Sequence, residues 1–158
     1  MSVEPVRPFK AELKLEDFLP FRLSVASDAV AGLITRACQE RFGLTAPQWR
    51  LICVLAGEPR LTQAQLVSRA VMDKVTVSRA AQGLLKRGLV HRSDNLADGR
   101  SHVLTLSDEG QRLFSEVAPL ARAYEAALIA GLAPEEVALL RRMLDRLQSA
   151  ATALAADS

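Results

Sequence analysis

The chain has 158 residues, of which 49% are hydrophobic and 24% charged, with a net charge of +2. That is ample apolar material for one buried core and argues against disorder of the whole. Nowhere do about 18 uncharged apolar residues run together, and Met1 to Lys14 mixes Pro, Glu, Arg and Lys without an apolar segment, so neither membrane insertion nor secretion is expected, and the expected compartment is the cytoplasm.

Residues 1–14 read as an N-terminal arm. From Leu15 to Phe42 apolar residues recur at helical spacing (Leu19, Leu23, Ala26, Val30, Ile34, Ala37), and Gly43 stands where a C-cap is expected, so 15–43 is predicted as a long first helix. Pro20 is tolerated near the start, where backbone N–H groups have no intrahelical acceptor. Two helix starts in the same grammar follow, Leu44-Thr45-Ala46-Pro47-Gln48-Trp49 and Leu61-Thr62-Gln63-Ala64-Gln65-Leu66. Each has a Thr that accepts from the amide three residues on, a Gln that reaches back, and a flanking apolar pair that staples the entry. Short helices are therefore predicted from residues 46 and 63.

Asp73 caps a further helix over Lys74 to Lys86, ended by Gly88, with Val77, Ala81 and Leu84 on its inner face and Thr76, Arg79 and Gln82 facing away. Leu89 to Ser93 and Ser101 to Leu106 alternate loosely as strands around the turn-rich Asp94 to Arg100, which predicts a two-stranded hairpin with a long tip. Ser107 caps another helix, with Asp108 and Glu109 at its positive end. Pro134, Glu135 and Glu136 open the last one, whose Val137, Leu140, Leu144 and Leu147 form a narrow seam at heptad-like spacing. Such a seam in a small chain calls for a partner helix, expected from a second copy.

The predicted fold is therefore mainly α with a small β-hairpin. It is a winged helix-turn-helix over 45–106, flanked by dimerisation helices at 15–43 and 107–154. Charge follows that division, because residues 61–103 hold seven Lys/Arg against three Asp, whereas 104–158 hold five Arg against eight acids. A basic centre suits a module that displaces counterions from phosphates. On the open face of the 74–86 helix, Lys74, Thr76, Ser78, Arg79 and Gln82 supply the groups that meet base edges: Arg pairs with guanine O6/N7 and Gln with adenine.

The linear pattern resembles the MarR (multiple antibiotic resistance regulator) family of bacterial transcription factors. The resemblance is carried by Leu61-Thr62-Gln63-Ala64-Gln65-Leu66, Val77-Ser78-Arg79, Leu84-Leu85-Lys86-Arg87-Gly88-Leu89-Val90, Asp98-Gly99-Arg100 and Leu106-Ser107-Asp108-Glu109-Gly110. It implies a homodimer that lays two recognition helices in successive major grooves of near-palindromic double-stranded DNA, with Arg100 at the wing tip entering the minor groove and oriented by Asp98. It further implies a repressor released by a small organic effector, of the kind that governs aromatic acids or their acyl-CoA thioesters. Phe21, Arg22, Trp49 and Cys53 are the expected effector pocket, Arg22 as carboxylate partner. Taken singly, Trp49 reads first as a staple and core residue, and Arg22 as a solvent-exposed or dimer-interface arginine.

Cys38 and Cys53 lack CxxC spacing and read as small buried apolar side chains rather than a disulfide or zinc site. His91 and His102, both in the hairpin, read as packing or phosphate-touching groups, and no metal or cofactor is expected. No GxSxG, HExxH or glycine-rich phosphate loop is present, so an enzyme is not expected. Two alternatives remain: an adaptor that keeps the winged fold without reading DNA, which has no need of Arg79, Lys86, Arg92 and Arg100 together, and a regulator whose signal is cysteine oxidation.

Overall fold

The computed structural model describes residues 13–156, so most of the expected N-terminal arm, residues 1–12, lies outside the described residues. In chain order it has a 3-10 turn at Leu15–Asp17, then α1 (Leu19–Phe42), α2 (Ala46–Gly57), β1 (Leu61–Thr62), α3 (Gln63–Ala70), α4 (Lys74–Lys86), β2 (Val90–Asp94), β3 (His102–Leu106), α5 (Asp108–Ile129) and α6 (Pro134–Ala156).

The first helix starts later than its apolar periodicity implies. Phe18 is extended, and α1 begins at Leu19 with Pro20 in its first turn. The cause is Pro20, whose ring would meet the carbonyl of Glu16 if the helix ran back through residue 16, and which offers that carbonyl no N–H. The Arg22 guanidinium serves it instead, with Nη1 3.3 Å from the Glu16 oxygen. At the other end Gly43 takes the left-handed conformation at φ 62° and donates to the Gln39 carbonyl, a helix ending that glycine accepts without a Cβ penalty.

Both Thr-Gln capping boxes form as the sequence dictates, Thr45 with Gln48 and Thr62 with Gln65, each bonded in both directions. Before the second box, Leu61 and Thr62 pair with Leu104 and Val103, so the hairpin is the larger part of a three-stranded antiparallel sheet in the order β1-β3-β2. Sequence patterning predicted two strands. Two residues are too few to show an alternation, and only their partners define them as a strand.

One core joins the elements. Leu44, Leu51, Ile52, Leu55, Leu66, Val77, Leu84 and Val117 are fully buried, together with Cys38 from the end of α1. Residues from α1, α2, α3, α4 and α5 thus share one apolar interior, and the start of α5 packs with the 45–106 segment. Ser107 fixes that junction: its hydroxyl donates to the Gly88 carbonyl at 2.6 Å and accepts from the Gly110 amide at 3.0 Å. A Cβ on Gly110 would run into the Leu89 carbonyl, so only glycine permits this approach of α5 to the exit of α4. Pro119 lies inside α5 without ending it, at the cost of the backbone bond its nitrogen would have made to Ser115.

Among the described residues α6 buries none of its own, and its seam residues Leu140, Leu144 and Leu147 are all exposed. Leu19, Leu23, Val30 and Leu33 of α1 are exposed as well.

Candidate nucleic-acid interface

The turn between α3 and α4 sets how α4 is presented. Val71 closes α3 in the left-handed region at φ 52°, which a β-branched residue adopts only when its surroundings impose it. Two side-chain contacts flank this turn. Arg50 Nη1 reaches the Ala70 carbonyl at 3.4 Å, and Arg69 pairs with Glu58 at 2.8 Å, tying the end of α3 to α2.

α4 then opens on Asp73. Its carboxylate accepts from the Thr76 amide at 2.8 Å and from the Thr76 hydroxyl at 2.6 Å. These bonds, the hydroxyl's first, hold the Asp73 carboxyl below the usual carboxylate range. The Thr76 hydroxyl is therefore committed to the cap, which leaves its methyl as the freer part of that side chain. Val77, Ala80, Ala81 and Leu84 bury the inner face. Arg79, Gln82 and Lys86 are exposed on the outer face, with Lys74 exposed and Ser78 half-buried at its flanks.

The wing is ordered by its own bonds. β2 and β3 pair from Val90↔Leu106 to Asp94↔His102, and His102 Nδ1 lies 3.2 Å from Asp94 at the root of the tip. Beyond that pair the Asn95 side chain donates to Ser101 Oγ at 2.8 Å and accepts from the Ala97 amide, while Asp98 Oδ1 accepts from the Arg100 amide at 3.1 Å. Asp98 thus orients Arg100 through the backbone. Among the described residues no ion pair engages the Arg100 guanidinium, nor the charged groups of Lys74, Arg79, Lys86 and Arg92. None of these five side chains makes an internal hydrogen bond either. By contrast Arg87, next to Lys86, is spent inside the chain on the Phe42 and Gly43 carbonyls at the end of α1.

A cleft of about 560 Å³ runs between α3, α4 and the wing, and Ser78, Gln82, Asp98 and Arg100 all line it. Lys74, Thr76 and Arg79 stand outside its lining. Arg92, which the sequence pattern groups with Arg79, Lys86 and Arg100 on one basic face, also lines it. Its strand position opposite Leu104 could not be placed beside α4 from the sequence.

The expected effector residues are not gathered in one place within the chain. Phe21 and Arg22 are exposed near the start of α1, whereas Trp49 and Cys53 are half-buried on α2. Cys53 lies close enough to Cys38 for the two thiolates to repel once deprotonated, and Cys38 lies roughly 25 Å further along α1 than Phe21 at 1.5 Å per residue. Trp49 packs against the core. The Cys53 thiol is pushed up to about 11, first by burial and then by Cys38, and burial raises Cys38 too. Both thiols therefore stay protonated at neutral pH, the state least prone to oxidation.

Among the described residues no helix is long and apolar enough to cross a membrane. The sequence profile described as MarR family matches residues 42–101. The chain is similar to the transcriptional repressor NicR of Pseudomonas putida, 31% identical over 114 residues that cover 70% of this chain and 71% of NicR. The fold matches a crystal structure of a probable transcriptional regulator from Pseudomonas aeruginosa at 31% identity and TM-score 0.77, covering 85% of this chain and 99% of that one. It also matches the PcaV transcriptional regulator of Streptomyces coelicolor in complex with its natural ligand, at 26% identity and TM-score 0.75, over 89% of this chain and 99% of PcaV. The matched proteins are transcriptional regulators rather than enzymes.

Proposed function

The chain belongs to the MarR family of transcriptional regulators, and on that footing we propose that it is a ligand-responsive repressor that acts in the cytoplasm as a homodimer on near-palindromic operator DNA. The observation that carries this reading is the set of exposed cations on α4 and the wing, Lys74, Arg79, Lys86, Arg92 and Arg100, none of which has an ionic partner among the described residues. Charged side chains turned outward on a helix and a rigid finger are complementary to phosphates and base edges. Lys74, Ser78, Arg79 and Gln82 meet bases and phosphates at the major groove, Thr76 presents its methyl there because its hydroxyl is held by Asp73, and Arg100, held by Asp98, follows the minor groove.

The second copy is supported by the apolar faces of α1 and α6, which the described residues leave uncovered. Two-fold symmetry then sets the recognition helices about one helical turn of DNA apart. In this reading residues 15–43 and 107–154 hold the dimer, 45–106 holds the DNA, and residues 1–14 form an arm outside both.

The effector is a small organic acid, an aromatic carboxylate or its acyl-CoA thioester, bound in the crevice between the dimer helices and the DNA module. PcaV, with its bound natural ligand, supports a ligand-responsive mode for this chain. Because Phe21 and Arg22 lie far along α1 from Cys53, a pocket using all four residues draws them from two copies. Binding acts by stabilising a conformation whose recognition helices no longer match the operator spacing.

Gel shifts on the DNA upstream of the chain's own gene test the proposal. Arg79→Ala is expected to abolish the preference for specific over random duplex, and Arg100→Ala to weaken both. Equal binding of all three proteins to both duplexes refutes the readout. Calorimetry with aromatic carboxylates and their CoA thioesters tests the effector: no heat of binding, or no change in operator affinity, refutes that part alone.

A further inference from the structure

On α4 the buried positions Val77, Ala80, Ala81 and Leu84 mark the side that faces the core. At 3.6 residues per turn the opposite side runs through Val75, Arg79, Gln82 and Lys86, spaced i, i+4, i+7 and i+11. The row of outward side chains therefore begins with an apolar one. Val75 is 58% exposed. The other exposed large apolar residues cluster before residue 34 or after residue 127, on the faces assigned to the second copy, apart from Val71 in the preceding turn and Leu96 in the wing.

Local structure does not account for a valine here. A β-branched side chain in an exposed helical position is a poorer helix former than alanine, and it gains nothing from burial. The capping work at this end is done by Asp73 and Thr76. What distinguishes the position is its place in the first turn of the helix that carries Arg79 and Gln82, where recognition helices approach base edges. An apolar group on the floor of the major groove has one apolar complement, the 5-methyl of thymine.

We propose that Val75 is a specificity-determining residue that packs against a thymine 5-methyl group in each half-site, one turn ahead of the bases that Arg79 reaches. The assignment rests on the DNA-binding reading above and adds to it a base identity at a position where polar side chains alone provide none.

The test begins with a duplex that the wild-type dimer selects from a randomised library. That duplex is remade with each thymine in turn replaced by deoxyuridine, which removes only the methyl group. Wild type is expected to lose roughly fourfold in affinity at one thymine of each half-site, the factor for about one methyl withdrawn from contact. Val75→Ala is expected to bind the thymine and deoxyuridine duplexes equally, near the wild-type affinity for the latter. In a second selection Val75→Ala is expected to lose the thymine preference at that position and keep the others, a pattern that a folding defect does not produce. The inference is overturned if the wild-type half-sites contain no thymine, if none responds to deoxyuridine, or if Val75→Ala keeps the full discrimination. Enrichment of no sequence at all by wild type overturns the DNA-binding reading, and this inference with it.

Discussion

Replacing Arg100 with alanine should change the salt dependence of DNA binding by an amount that the interface fixes in advance. Lys74, Lys86, Arg92 and Arg100 are exposed and make no ion pair with another described residue, so each can displace a phosphate counterion, while Arg79 is assigned to a base. Two copies present about eight such charges, which gives a slope of log K against log[salt] of about −7, and removing Arg100 from both copies leaves about six and a slope of about −5. Between roughly 50 and 200 mM salt, wild type then loses on the order of four decades of affinity and the variant about three. Fluorescence anisotropy on a labelled duplex across that range reads both slopes. Arg141→Ala is the control, since Arg141 is paired with Glu125 far along the chain from the wing, and its slope should match wild type. An Arg100→Ala slope equal to that of wild type, or a wild-type slope shallower than about −2, would refute the placement of these cations against the DNA.

Ser107→Ala removes the cap of α5 and the donor to the Gly88 carbonyl; a loss of about 2 kcal/mol is expected, read from the urea midpoint at fixed protein concentration, and a loss below about 0.5 kcal/mol would contradict it. Leu144→Asp should leave the helix content of the chain intact, because α6 buries none of its residues among those described, yet sedimentation should report single subunits and operator affinity should collapse. A dimer that persists speaks against α6 as the contact. Cys53 titrates at about 11 in the folded chain against 9.0 for a free thiol, so the unfolded chain gives up its proton first as pH rises. Stability is therefore expected to fall between about pH 9 and pH 11, and a Cys53→Ser variant should lose that component of the decline. Alkylation of Cys53 at pH 8 should be correspondingly slow, and rapid modification would contradict the protonated assignment.

The helices are legible in the sequence because their ends are written in local chemistry. Thr45 with Gln48, Thr62 with Gln65, Asp73 and Ser107 each bond an amide within three residues, and a rule that spans three residues needs no knowledge of the rest of the molecule. The late start of α1 was local as well. Pro20 announced it, but the clash is with the carbonyl of Glu16, and apolar periodicity is blind to carbonyls. The candidate interface was legible in its polar members, Arg79, Gln82 and Arg100. Val75 falls on the same outward side by helical spacing, but an apolar residue there signals nothing until its exposure is known.

What local sequence determines here is the set of elements and the outward chemistry of α4 and the wing, since helix caps, turn residues and charge act over a few positions. Tertiary structure alone decides three other features. It makes a strand of Leu61 and Thr62 by supplying β3 as partner, and it brings Arg92 and Asp98 of the wing beside Ser78 and Gln82 of α4. It also separates Phe21 and Arg22 from Cys53, which a rigid helix of 24 residues holds apart. Each depends on contacts between segments distant in the chain, and such contacts are set by how the core closes rather than by any neighbouring residue.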